Sequence, residues 1–149
     1  MTNFVVVDAS LATMWAIPEP YTEYALALAT RWTQEGARPI APCLILTEIT
    51  NAIYKRVLRQ EIDTKTAQEA LRVVLGFDIE IREEPGLHTR ALQLAYHLKM
   101  STTYDAHYLA LAEQYRCNLW TGDKRLYHSV KKNLPWVKWI GSQLIVGSR

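Results

Sequence analysis

Basic residues are missing from the start of the chain, and none precedes Arg31. A secretory leader needs a basic stretch ahead of an apolar one, so none is expected here. The early apolar run Phe4-Val5-Val6-Val7 stops at Asp8. No segment reaches the roughly 18 consecutive apolar residues of a membrane span, and a cytoplasmic protein without membrane attachment is expected. There are only two cysteines, Cys43 and Cys117. They are too few for a disulfide framework, lack metal-ligand spacing, and are expected to be buried thiols of a reducing compartment. The Gly-x-Gly-x-x-Gly turn of dinucleotide-binding proteins is absent. So is a large net charge, with 17 basic residues against 15 acidic ones. That balance excludes a polybasic nucleic-acid tail. With 49% of its residues hydrophobic, the chain is not an acidic disordered segment either.

No repeat, low-complexity stretch or Gly/Ser linker divides the 149 residues, so residues 1–149 are expected to form one domain. The hydrophobic pattern alternates between short β-branched runs and helical periodicity. Residues 3–7 read as a buried strand, followed by a helical stretch from about Leu11. Pro18-Glu19-Pro20 breaks that stretch, and a second helix ends before Gly36. Pro39 to Pro42 allows only a very short strand. Helical spacing covers Leu44–Leu58, Thr64–Leu75, Leu87–Leu98 and Tyr104–Tyr115, with strands at 78–82, 118–121 and 137–140 and a short helix after Asp123. Such alternation predicts a parallel sheet with helices on both faces. Ligands of such sheets bind beyond the carboxyl ends of the strands, where the strand order reverses.

Four acids are placed to meet there. Asp8 follows the first strand and Asp123 lies just past the strand ending at Thr121. Asp105 opens the helix 104–115. Glu48 shares a helical face with Asn51 and Lys55. Each also has a simpler reading. Asp8 or Ser10 can cap the next helix, Thr102 and Asp105 have the spacing of a capping box, and Asp123 fits a turn. Glu48 is the least ambiguous, because it interrupts an apolar run in a helix that looks buried, where an unpaired carboxylate is costly. Four neighbouring carboxylates raise one another's pKa unless a cation intervenes, and Mg2+ or Mn2+ takes such oxygen ligands.

These blocks carry a resemblance. Val6-Val7-Asp8-Ala9-Ser10-Leu11-Ala12, Leu46-Thr47-Glu48-Ile49-Thr50-Asn51-Ala52, Tyr104-Asp105-Ala106-His107-Tyr108-Leu109-Ala110-Leu111-Ala112 and Trp120-Thr121-Gly122-Asp123 occur in the order of a PIN domain. A compact chain of this kind resembles the VapC-type toxins of prokaryotic toxin–antitoxin pairs. The resemblance implies an α/β/α sandwich with a central parallel sheet of about five strands, and metal-dependent endoribonuclease chemistry. It implies Asp8 and Asp105 as the principal metal ligands, with Glu48 and Asp123 completing the cluster. Ser10, Asn51 and Thr121 match supporting polar positions. A cognate antitoxin and a second copy of the chain are the protein partners it suggests. Many relatives carry a basic residue near the position of Met14, and this chain does not.

RNA around an acidic centre must be held by cations. Lys55 and Arg56 follow Glu48, and Lys124 and Arg125 follow Asp123; all four are candidate phosphate contacts. Trp15, Tyr21, Trp136 and Trp139 are candidates for an exposed apolar surface. His107, two residues past Asp105, is a weaker candidate for the cleft. An aspartyl-phosphate phosphohydrolase needs a second Asp two residues after its nucleophile, and Ser10 stands there. A non-catalytic PIN-like scaffold that binds RNA or protein is the remaining alternative.

Overall fold

Five consecutive residues that end in three valines, with no polar alternation, favour a strand buried on both faces. In the computed structural model, which describes residues 3–142, this segment is β1 (Asn3–Val7), the centre of the sheet. It is followed by α1 (Ala9–Thr13), α2 (Thr22–Glu35) and β2 (Ala37–Ala41). Then come α3 (Leu44–Leu58), α4 (Thr64–Leu75), β3 (Glu80–Ile81), α5 (Leu87–His97) and α6 (Tyr104–Tyr115). The remaining elements are β4 (Leu119–Thr121), α7 (Lys124–Val130), β5 (Val137–Trp139) and a final 3-10 turn, Ile140–Ser142. The five strands are all parallel, in the order β3-β2-β1-β4-β5. Right-handed crossovers then place α1 to α4 on one face and α5 and α6 on the other. This is a three-layer α/β/α sandwich.

The order fixes where a site can form. The chain leaves β1 toward β2 on one side and returns to β4 on the other, so the order reverses between β1 and β4. Backbone pairing carries β1 into β4, with Val7 beside Trp120 and Asp8 N–H donating to the Trp120 carbonyl at 3.3 Å. The valines of β1, Ile40, Leu109, Leu111 and Leu119 are almost wholly buried and form the core around these strands.

Several local expectations are corrected. The segment 78–82 yields only two strand residues, since β3 pairs only with Ile40 and Ala41 of β2. Pro39 is tolerated in β2 because β3 does not extend alongside it. Helix α7 runs to Val130, longer than its sequence signals suggest. Trp15 is buried, its indole N–H bonded to the Ala25 carbonyl at 3.0 Å and its ring stacked on Phe77. Tyr21, Trp136 and Trp139 are half-buried, with Tyr21 packed edge-on to Trp139. Cys43 is exposed, and Cys117 is half-buried. Among the described residues no helix is long and apolar enough to cross a membrane.

Candidate active site

Asp8 is the first residue after β1, as expected, and it is also the N-cap of α1. It is only 4% exposed. Its Oδ1 accepts from Ser10 Oγ at 2.7 Å and from Leu11 N at 3.1 Å. Its Oδ2 accepts from the Thr121 hydroxyl at the end of β4. The support is itself supported. Ser10 Oγ accepts from Gly122 N at 2.9 Å, and Thr121 Oγ1 accepts from Asp123 N at 2.9 Å. Gly122 eases this approach: a Cβ there would lie 3.1 Å from the Ser10 carbonyl and 2.6 Å from Met14 Cε, so the neighbours would have to shift. Met14 is buried beneath this turn.

Burial pushes the Asp8 carboxyl up to about 7, against the lowering effect of its three hydrogen bonds, and the negative charge of Asp105 adds to the rise. Asp105, in the first turn of α6, is pushed up to about 6 by burial, then by Asp123 and by Glu48. The four acids therefore act on one another electrostatically, with Asp105 in the middle. Asp105 is not the partner of a capping box: Thr103 is the N-cap of α6 and makes no side-chain cap bond. Asp123 caps α7, its Oδ1 accepting from Arg125 N at 2.9 Å and from Leu126 N at 3.3 Å. Glu48 is half-buried on α3, and its Oε1 accepts from the Tyr108 hydroxyl at 2.6 Å. Sequence reasoning passed over Tyr108, although it stands three residues after Asp105 and so on the same face of α6.

Asp105, Asp123 and Arg125 line one open depression of about 310 Å³. A larger concavity, of about 630 Å³, lies at the opposite edge of the sheet, where β2 begins, and contains none of the four acids. Among the described residues, no three carboxylate, imidazole or thiol groups converge closely enough to hold a metal ion as they stand. Mutually repelling carboxylates have no reason to converge before a cation joins them. As a donor set they fit a hard divalent cation: oxygen ligands only, one deeply buried, with raised pKa values that a positive charge would reverse.

The remaining candidates divide. Lys55, Lys124 and Arg125 are exposed, with the Lys124 ammonium 5.6 Å from the centre of the Trp139 ring. Arg56 is instead paired with Glu19 and with Glu61, both at 3.0 Å, so its charge is already matched by two carboxylates. Asn51 is exposed on α3 and lines a shallow groove with Leu46, Thr47 and Tyr54. His107 is turned to other partners: Nδ1 donates to the Thr103 carbonyl at 2.6 Å and Nε2 lies 3.0 Å from His88 Nδ1.

The same architecture recurs in known structures. The chain is similar to PAE2754 from Pyrobaculum aerophilum, with 25% identity over 97% of this chain and 96% of that one and a TM-score of 0.64. It is also similar to VapC20 of Mycobacterium tuberculosis, a sarcin-ricin loop cleaving toxin. There the identity is 17% over 80% of this chain and 90% of that one, with a TM-score of 0.58. Among curated proteins no sequence matches. The model of the PIN domain family matches residues 5–132, a span that runs from β1 through α7 and holds all four acids. With that span matched over most of the chain, the chain belongs to the PIN domain family.

Proposed function

We propose that the chain is a Mg2+- or Mn2+-dependent endoribonuclease that hydrolyses RNA phosphodiesters. We place it in the cytoplasm, as a homodimer held inactive by a cognate antitoxin as the toxin of a toxin–antitoxin pair. The observation that carries the reading is the buried Asp8 at the β1/β4 reversal point, under the electrostatic influence of Asp105. The toxin assignment rests on the sequence resemblance and on the fold shared with VapC20.

Asp8 and Asp105 would hold the cation, with Glu48 and Asp123 completing the site directly or through water. When bound, the cation lowers the pKa of a coordinated water and neutralises charge on the scissile phosphate and its leaving oxygen. The rest is the work of the chain. Ser10, Thr121 and the Leu11 N–H hold Asp8 in one orientation. With a single cation, Glu48 or Asp123 would help orient the attacking water. Lys55, Lys124 and Arg125 supply phosphate contacts that confer affinity with little sequence choice. Arg56, committed to Glu19 and Glu61, fastens α3 to its neighbouring segments. An aspartyl-phosphate route is disfavoured, because both oxygens of Asp8 already accept hydrogen bonds in a buried setting.

A metal-free scaffold that binds RNA or protein draws on one observation, that the acids do not converge as they stand. Thermal melts with and without millimolar Mn2+ separate the two readings, since a ligand of the folded state raises its melting temperature. The decisive test is cleavage of RNA by the purified protein, with EDTA and the Asp8→Asn and Asp105→Asn variants as controls. Wild-type rates in either variant would refute the assignment.

A further inference from the structure

Helix α6 presents two functional groups to the acid site, three residues apart on one face: Asp105 and the hydroxyl of Tyr108. Tyr108 is 1% exposed, among the largest side chains of the core. A buried phenol needs a partner for its hydroxyl. Here the partner is Glu48 Oε1 at 2.6 Å, sixty positions away on α3. A short O–H···O⁻ bond of this kind is among the stronger neutral-to-charged contacts. It also runs in one direction. A phenol hydroxyl offers a proton, whereas an ionised carboxylate only accepts. The hydroxyl is therefore the donor and Glu48 the acceptor.

The consequence concerns which oxygen of Glu48 is available. Oε1 is committed to Tyr108, and Glu48 is half-buried on a helix face, so the carboxylate is held in one orientation, with Oε2 uncommitted among the described residues. Ligating carboxylates are commonly oriented by such outer hydrogen bonds, and losing one typically weakens metal binding by 10- to 100-fold. We propose that Tyr108 is a positioning residue of the acid site: its hydroxyl orients Glu48 and couples α6, which carries Asp105, to α3. This rests on the metal-dependent reading above and adds to it a residue that touches neither cation nor substrate.

The test is a double-mutant cycle on Mn2+ affinity, measured by calorimetric titration of wild type, Tyr108→Phe, Glu48→Gln and the double variant. Tyr108→Phe keeps the ring and its packing, and a thermal melt in EDTA shows whether each variant folds. The expected result is a Mn2+ affinity 10- to 100-fold weaker in Tyr108→Phe, with no further loss when the change is added to Glu48→Gln. A merely structural tyrosine would give equal losses in both backgrounds, and that outcome overturns the proposal. Wild-type affinity in Tyr108→Phe overturns it as well, while leaving the metal reading intact. A wild-type protein that takes up no Mn2+ overturns the metal reading and the positioning role together. Should Tyr108→Phe fail to fold, Tyr108→Trp and Tyr108→Leu repeat the cycle, and Mn2+ affinity retained in a folded member of that pair overturns the proposal.

Discussion

Replacing Asp8 by asparagine should make the metal-free protein more stable at neutral and alkaline pH. The native carboxyl is pushed up to about 7, against an ordinary value of 3.8. Between those two values the folded state binds a proton that the unfolded state has released, so wild-type stability falls as pH rises through this window. Each tenfold change in proton affinity is worth about 1.4 kcal/mol, so the charge on Asp8 costs the metal-free protein on the order of 4 kcal/mol above pH 7. Roughly 2 kcal/mol of that is lost between pH 5 and pH 7. Asp105 adds a smaller effect of the same sign, attenuated by its partial exposure. Asparagine keeps the shape. Its Oδ1 can accept from Ser10 and Leu11, while its Nδ2 donates to the Thr121 hydroxyl, which turns its own proton toward Ser10. The assay is urea unfolding in EDTA at pH 5 and pH 8. Wild type should lose stability across that interval while Asp8→Asn changes much less, and the variant should be the more stable of the two at pH 8. Addition of Mn2+ should reverse the ranking, stabilising wild type alone. Parallel pH dependences, or a variant less stable than wild type at pH 8 in EDTA, would refute the electrostatic account of the site.

Thr121→Val should destabilise the protein by about 1–3 kcal/mol, because it strips a donor from buried Asp8 and an acceptor from Asp123 N–H; a denaturant melt within about 0.5 kcal/mol of wild type would count against this. Gly122→Ala should cost about 1–3 kcal/mol through overpacking, and adding Met14→Ala should restore only part of it, since the Ser10 backbone still lies 3.1 Å from the new Cβ. Charge reversal at Lys124 and Arg125 should weaken binding of single-stranded RNA in EDTA and flatten its dependence on salt by about 0.7 for each phosphate no longer neutralised. Arg56→Gln should leave that slope unchanged, and a slope that moved with Arg56 instead would show the two assignments reversed.

The helices were legible because long periodic segments bury one face. Leu44–Leu58, Thr64–Leu75 and Tyr104–Tyr115 begin and end where their apolar spacing does. Asp8 and Asp123 were legible for a different reason: each follows a short strand, and topology alone puts strand ends at one edge. What escaped was set by tertiary contact. Tyr108 reads as one more apolar residue in Tyr108-Leu109-Ala110-Leu111, and only the arrival of α3 gives its hydroxyl a carboxylate. Arg56 looked like a phosphate ligand because Glu19, thirty-seven positions earlier, is brought beside it only by folding. The extent of β3 could not be read from its own residues, since it is set by how much of β2 it meets.

The hydrogen bond between Thr121 and Asp8 spans 113 positions, and among the described residues β4 is the strand that β1 pairs with on that side. During synthesis, then, β1 waits with one edge unpaired until residues 119–121 have left the ribosome. Asp8, Glu48 and Asp105 are all made before this strand can close the sheet, and Asp123 follows it by two residues. A nascent chain that stalls before Thr121 holds three of the four acids and lacks the scaffold that aligns the first of them. The parallel sheet is also a timer: the four acids are brought to one edge only when nearly the whole domain has been translated.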